Sequence, residues 1–234
     1  MPDQVGSGEA RNRQIQAMFG RIVPRYDRMN RLMSFGMDVR WRRRAAEAAE
    51  PRGKRVLDLG TGTGDLAREL VRQGAAFVCG ADLTPAMLDA AAHRDAGGER
   101  YAWLAADGHH LPFASESFDA LTNAFVLRNL VDLPAAFREM ARVLRPGGRA
   151  VCLDMTQPPP GIFSTAYRFY FNHIMPPIAG LLSGDRAAYR YLPNSLTGFP
   201  DADALSGMLR DAGFRDVGYR RLGGGAVALH IAVR

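Results

Sequence analysis

Residues 55–64, RVLDLGTGTG, constrain the fold more than any other stretch of this chain. A short apolar run, Val56-Leu57-Asp58-Leu59, reads as a buried strand. It empties into glycines at 60, 62 and 64 before the helical pattern DLARELVRQG begins. Glycine admits positive φ and lets backbone N–H groups approach a ligand closely. A strand turning through such a loop into a helix suits a parallel α/β sheet with a ligand at the strand's carboxyl end. The rest of the chain repeats this unit. AFVCGAD (76–82) is a second strand, and TPAMLDAAAHRD a second helix with Thr84 as its cap and Pro85 at its first position. YAWLAAD (101–107), FDALTNAF (118–125) and GRAVCLDM (148–155) read as three more strands, with the helix VDLPAAFREMARVL between the last two. After the helix DADALSGMLRDAG, the segments FRDVGYRRL and GAVALHIAVR meet at a glycine corner and read as an antiparallel hairpin.

The expected fold class is therefore α/β: a Rossmann-like, seven-stranded, mostly parallel sheet with a terminal antiparallel hairpin. At 234 residues the chain suits a single domain, 1–234. Residues 1–12 are polar and are expected to be disordered. Residues 13–50 read as an N-terminal helical lid: Ile15, Met18, Phe19 and Ile22 fall on one face, and Pro24 is expected to interrupt the helix. Residues 158–200, rich in proline and aromatics, break the rhythm and read as a helical insertion on the acceptor side. The net charge of +6 raises nucleic acid or an anionic membrane as a partner, but all basic residues except Lys54 are arginine, a compositional skew. The cluster Arg40, Arg42, Arg43 and Arg44 reads first as a solvated helix face. Cys79 and Cys152 each lie in an apolar run and read as buried core thiols with no metal-site spacing. No secretory h-region and no long apolar span are present, so the expected localisation is cytoplasmic.

The glycine loop narrows the ligand. A dinucleotide fingerprint needs a third glycine where this chain has Asp65; the spacing is instead Asp-x-Gly-x-Gly-x-Gly from Asp58. This resembles motif I of the class I S-adenosylmethionine (SAM) methyltransferases, against the plain alternative of a ligand-free strand–helix turn. Asp58, Gly60, Gly62 and Thr63 are the loop residues concerned. Asp82, with Leu83 beside it, ends the second strand, where a carboxylate can accept both hydroxyls of a ribose. Asp107 and Gly108 end the third strand. In methyltransferases of this type a polar residue there bonds the adenine amino group, while taken alone Asp107 reads equally well as a turn cap. The cofactor expected is S-adenosyl-L-methionine, with no metal.

The fourth strand ends where a methyl acceptor must meet the sulfonium. Nucleic-acid amino-methyltransferases resemble one another there through Asn/Asp-Pro-Pro-aromatic, and this chain reads Asn123-Ala-Phe-Val, so nucleic acid is not the expected partner. The segments FGRIVPRYDRMNRLMSFGMDVRWRR, VLDLGTGTGDL, LPFASESFDALTNAFVLRN, REMARVLRPGG, AYRYLPNS and GGGAVALH together resemble the ubiquinone/menaquinone biosynthesis C-methyltransferases (the UbiE/MenG family) from about Phe19 to His230. That resemblance implies methyl transfer from SAM to a ring carbon of a prenylated hydroquinone, of demethylmenaquinol or 2-polyprenyl-6-methoxy-1,4-benzoquinol type. It carries over Thr63, Asp82, Asp107 with Gly108, and Ala124 as a cofactor-side position, and it implies that Tyr26 and Asp27 close over the cofactor. The chain departs from the family at Val126, where Gly is common, at Ala124, where Ser is common, and at DMTQP (154–158), where a run like EFSKP is usual.

A ring carbon becomes a good nucleophile only when its neighbouring hydroxyl is deprotonated. Arg128 is the expected catalytic cation, able to hold a phenolate, and Asn129 is expected to orient the other ring oxygen. The bland reading of Arg128 is a helix cap or a pair with Asp132 or Glu139. His109 and His110 read as surface or capping residues, and His173 and His230 as structural ones. The expected partner is a lipophilic quinol or aromatic acceptor, its tail taken by the apolar residues of 162–178, with room for peripheral membrane contact and a homodimer. Two other readings stay open: methylation of another aromatic or polyketide small molecule, and a SAM-binding scaffold without turnover.

Overall fold

In a computed structural model, which describes residues 3–95, 98–159, 161, 196 and 198–234, seven strands form one sheet in the order β3-β2-β1-β4-β5-β7-β6. The strands are β1 (Arg55–Leu59), β2 (Phe77–Asp82), β3 (Tyr101–Ala105), β4 (Phe118–Ala124), β5 (Leu144–Met155), β6 (Arg215–Leu222) and β7 (Val227–Val233). The first five run parallel, while β7 pairs antiparallel with β5 and with β6. The seven strands and the closing hairpin match the sequence expectation. The strand order reverses beside β1: β2 lies on one side of it and β4 on the other, which opens a crevice at the carboxyl ends of both.

Side chains alternate across the sheet with period two, and the core divides accordingly. On one face Leu57, Cys79, Leu121 and Cys152 pack with Phe137 and Met140 of α5 (Leu133–Val143) and with Leu205 and Leu209 of α6 (Ala202–Asp211). On the other, Val56, Val78, Ala120 and Val151 pack with Ala45, Ala46 and Ala49 of α2 (Met37–Ala49) and with Leu66 and Leu70 of α3 (Asp65–Arg72). Helix α4 (Pro85–Arg94) follows β2, with Pro85 in its first turn and Thr84 at its cap position. Both cysteines are free and buried, and burial pushes their thiols up, Cys79 to about 11 and Cys152 to about 12.

The N-terminus differs from expectation in two ways. Helix α1 runs unbroken from Asp3 to Met33, through both the tail expected to be disordered and the expected break at Pro24. Proline inside a helix costs about 3 kcal/mol. Ile15, Met18, Ile22 and Met29 are all buried along one stripe on both sides of Pro24, and burying each such side chain contributes roughly 1.5–3 kcal/mol. The stripe outweighs the proline. Upstream, Asn12 and Gln16 are anchored to the sheet's loops, and extending an anchored helix needs no new nucleus. A left-handed corner at Phe35 (φ 51) and Gly36 (φ 74) then turns the chain into α2.

Among the described residues no helix is long and apolar enough to cross a membrane. The insertion expected at 158–200 falls mostly outside the described residues, as do His173 and the apolar residues of 162–178.

Phe137 is fully buried and packs α5 onto the sheet. Phe137→Ala is expected to lower unfolding free energy by about 3–5 kcal/mol, read as a fall in the urea midpoint with little change in the slope.

Candidate functional site

The carboxyl ends of β1, β2 and β4 open into a cleft roofed by α1. The floor is backbone. Gly60 (φ 67) and Gly62 (φ 56) both line the cleft in a left-handed conformation that favours glycine. At Gly60 the space is also taken, because a Cβ there would lie 2.4 Å from Cγ2 of Val126. A side chain is thus excluded at Gly60 by both dihedral and contact.

Asp58 braces this loop from below. It is 1% exposed, accepts from the Thr61 hydroxyl at 2.7 Å and from the Thr122 hydroxyl at 2.8 Å, and so ties the loop to β4. Burial pushes its carboxyl up to about 6, opposed by the two hydroxyls and by the nearby Arg42. Asp58 and Thr63 do not line the main cleft. They line a smaller adjoining pocket with Arg42 and Asp65, which shares Tyr26, Gly60, Gly62 and Ala124 with the cleft.

Arg42 corrects the reading of the arginine cluster. Arg40, Arg43 and Arg44 are exposed as expected, whereas Arg42 is 8% exposed, bonds Asp38 at 2.7 Å and stands over the Phe125 ring at 5.2 Å. One turn of α2 brings Asp38 and Arg42 together, and the pairing makes burial of the charge tolerable.

Asp82 accepts from the Gly62 N–H with one oxygen and from the Thr84 N–H with the other, both at 2.8 Å, and burial holds its carboxyl above the usual range. Each oxygen keeps a further lone pair for a hydroxyl. Leu83 lines the cleft beside it, and its carbonyl accepts from Gln16 of α1 at 2.7 Å. Asp107 and Gly108 also line the cleft. Asp107 accepts from Asn12 at 3.1 Å and from both the backbone N–H (3.0 Å) and Nδ1 (2.6 Å) of His109, whose hydrogen bond holds the Asp107 carboxyl below its ordinary value.

His109, read from sequence as a surface or capping residue, lines the cleft. Asp107 pushes its imidazole toward the charged form, while its Nε2 accepts the Asp132 N–H at 3.2 Å. With both nitrogens engaged it is a strut between two loops rather than a placed base. His230 is buried as expected, with Nε2 2.9 Å from the Ala202 carbonyl, and burial holds it toward the neutral form.

The end of β4 explains the placement of Arg128 and Asn129. Phe125 has φ 64, an uncommon conformation for a bulky residue, held by its N–H to the Leu153 carbonyl at 2.7 Å and by Arg42 and Arg128 over its ring. A 3₁₀ turn, Leu127–Asn129, follows, and successive side chains on such a turn diverge by about 120°. Leu127 enters the core and Asn129 lines the cleft. Arg128 takes the third direction: Nη1 bonds Asp154 at 2.6 Å in a buried pair, and Arg128 is not among the residues lining the cleft. The partner is Asp154 of β5 rather than Asp132 or Glu139; Asp132 caps α5 and Glu139 pairs with Arg142.

Helix α1 supplies residues that sequence reading missed. Asn12, Ile15 and Phe19 line the cleft with the expected Tyr26. Asp27 accepts from the Thr63 hydroxyl and from Arg94, each at 2.7 Å, which joins α1 to the glycine loop and to α4. The apolar stripe of α1 is legible in the sequence, whereas nothing local marks Asn12 or Gln16, interleaved with it, as facing the strand ends.

Gly60→Ala abolishes ligand binding in the cleft, and adding Val126→Gly restores part of it by removing the contact but not the dihedral penalty; calorimetric titration of the two variants checks this. A carboxyl pushed from 3.8 to about 6 binds its proton more tightly folded than unfolded, so stability is lost as pH rises through that range. Asp58→Asn removes this titration but offers one oxygen to the two hydroxyls, so its stability relative to the parent is expected to rise by up to about 3 kcal/mol between pH 4 and pH 7.5, in paired thermal melts.

Known proteins share this sequence and fold. Residues 7–234 match the model of the ubiE/COQ5 methyltransferase family. The chain is 49% identical over 220 residues to the demethylmenaquinone methyltransferase of Thermus thermophilus, covering 93% of this chain and all of that one. It is 44% identical to the ubiquinone/menaquinone biosynthesis C-methyltransferase UbiE of Syntrophotalea carbinolica, covering 93% and 92%. A SAM-dependent methyltransferase structure from Thermotoga maritima shares the fold at TM-score 0.65 and 18% identity, covering 93% of this chain and 98% of that one. With its glycine loop, its acidic strand ends and this likeness over nearly the whole length, the chain is a methyltransferase and belongs to the ubiE/COQ5 family.

Proposed function

We propose that this enzyme uses S-adenosyl-L-methionine to methylate a ring carbon of a prenylated hydroquinone in respiratory quinone biosynthesis, of the demethylmenaquinol or 2-polyprenyl-6-methoxy-1,4-benzoquinol type. The observation that carries the reading is the meeting, in one cleft, of the glycine floor, Asp82 and Asp107 with an apolar wall that includes Phe19, Val126 and Leu130. The likeness to relatives named for both quinones supports the acceptor class.

The residues present fit the cofactor. Backbone without side chains lines the cleft at Gly60 and Gly62, where the methionine half would lie; Asp82 would take the ribose hydroxyls, and Leu83, Asp107 and Gly108 the adenine. When bound, SAM supplies an electrophilic methyl group on a sulfonium. The protein's part is alignment and exclusion of water. Helix α1 covers the cleft and the side chains of Ile15, Phe19 and Tyr26 dry it, while Ala124 and Val126 bound the side where the acceptor ring enters. Asn129, which lines the cleft, would hold an oxygen of the ring. Arg128 acts through Asp154, fixing the 3₁₀ turn that presents Asn129, and so is a positioning residue. Neither His109 nor His230 is assigned as a base, because each is engaged by structural hydrogen bonds.

Incubation with SAM and a short-tailed demethylmenaquinol or its benzoquinol counterpart, under reductant, tests the reading; tight SAM binding without a ring-methylated product from either sinks it. Asn129→Ala is expected to lower kcat/KM about 100-fold or more with SAM affinity and Tm retained. Arg128→Ala is expected to lower activity too, but with a loss of stability of about 3–5 kcal/mol, because it strands the buried Asp154 charge.

A further inference from the structure

Of the six large apolar side chains exposed among the described residues, four lie within eight positions of sequence: Leu32 (47%), Phe35 (75%), Met37 (38%) and Val39 (46%). They form the knuckle between α1 and α2. The left-handed residues Phe35 and Gly36 turn the chain there, so the end of one helix and the first turn of the next present these side chains together. Isolated exposed apolar residues need no explanation, but a cluster of this kind marks a contact surface.

Within the stretch that forms the knuckle, the exposed charge is all basic. From residue 28 to residue 44 the only carboxylate is Asp38, and it is 3% exposed and bound to Arg42. The exposed residues of this stretch include Arg28, Arg31, Arg40, Arg43 and Arg44. Arg31 reaches Asp65 and Arg43 reaches Glu47, both at the surface, while Arg28 stands one turn before Leu32 and Arg40 directly follows Val39. Apolar side chains within a collar of arginines match the headgroup–acyl boundary of an anionic bilayer, where the rings and aliphatic groups enter and the guanidiniums stay among phosphates.

We propose that the α1–α2 knuckle docks this enzyme on an anionic lipid surface. The consequence lies in what else these helices carry. The inward face of α2 bears Trp41 and Arg42, which contact Phe125 of the cleft wall, and α1 bears the residues that roof the cleft. Docking at the knuckle would hold the cleft's cover against the membrane, the phase from which a lipophilic acceptor comes. The lipid contact itself does not depend on the acceptor's identity, so a vesicle experiment reads it without catalysis.

The test is flotation of the full chain with phosphatidylcholine vesicles, with and without phosphatidylglycerol. The parent should float with the phosphatidylglycerol vesicles, less so as salt rises, and poorly with neutral ones. Phe35→Asn with Val39→Gln, where Asn tolerates the left-handed backbone, should weaken binding by about tenfold or more. Arg40→Glu with Arg44→Glu, on an exposed face that cannot disturb the core, should do the same. SAM affinity should be unchanged in both. Failure of the parent to float, equal binding to neutral vesicles, or undiminished binding of the arginine variant would overturn the proposal. So would self-association of the parent that the Phe35→Asn/Val39→Gln pair abolishes while vesicle binding persists, since the knuckle would then be a contact between two copies of this chain.

Discussion

The carboxylate of Asp58 has almost no contact with water, yet the geometry of the cleft hangs from it. It sits on β1 opposite Thr122 of β4, and its two oxygens take the hydroxyls of Thr122 and of Thr61 in the glycine loop. This fixes the loop against the neighbouring strand at the point where the sheet order reverses. Isolating such a group would cost several kcal/mol, and the hydroxyls together with Arg42 offset only part of that, so its carboxyl stays raised. The loop is thus held by a group that opposes its own ionisation. An apolar residue at 58 would remove that penalty but would leave two buried hydroxyls without an acceptor and the loop without its tie to β4.

Above the loop, α1 is fastened at points spread along its length. Asn12 donates to Asp107, Gln16 to the Leu83 carbonyl, and Asp27 accepts from Thr63 and Arg94. Each of these partners lies in a segment that lines the cleft or its adjoining pocket, or in the helix behind it. The apolar stripe of α1 buries Ile15, Met18, Ile22 and Met29, and the polar contacts set its register over the site. A helix attached in this way covers the cleft without belonging to the sheet that forms it.

The parts of the site legible in the sequence are those set within a few residues. Glycines at 60 and 62 announce a left-handed turn, and Asp82 and Asp107 stand at strand ends that periodicity locates. What the sequence hid depends on contacts between distant segments. Asn12 meets Asp107 across 95 positions, and Arg128 meets Asp154 across 26. Arg42 looked like part of a solvated run because its neighbours are; its burial follows from helical phase, which places it with Asp38 on the face turned to the sheet. The continuity of α1 across Pro24 was hidden for a similar reason, since the local cost of proline is visible in sequence and the burial that exceeds it is not.

The same contrast bears on the acceptor side. Adjacent in sequence, Arg128 and Asn129 look like a matched pair of functional groups, but a 3₁₀ turn separates them, one toward Asp154 and one toward the cleft. Val126 extends the point. Its methyl groups occupy the space above Gly60, so the glycine is demanded by the side chain across from it as well as by its own dihedral. A glycine at 126 would relax that demand and open the cleft between the floor and β4. The bulk at 126 and the absence of bulk at 60 therefore form a single steric unit in the wall of the cleft.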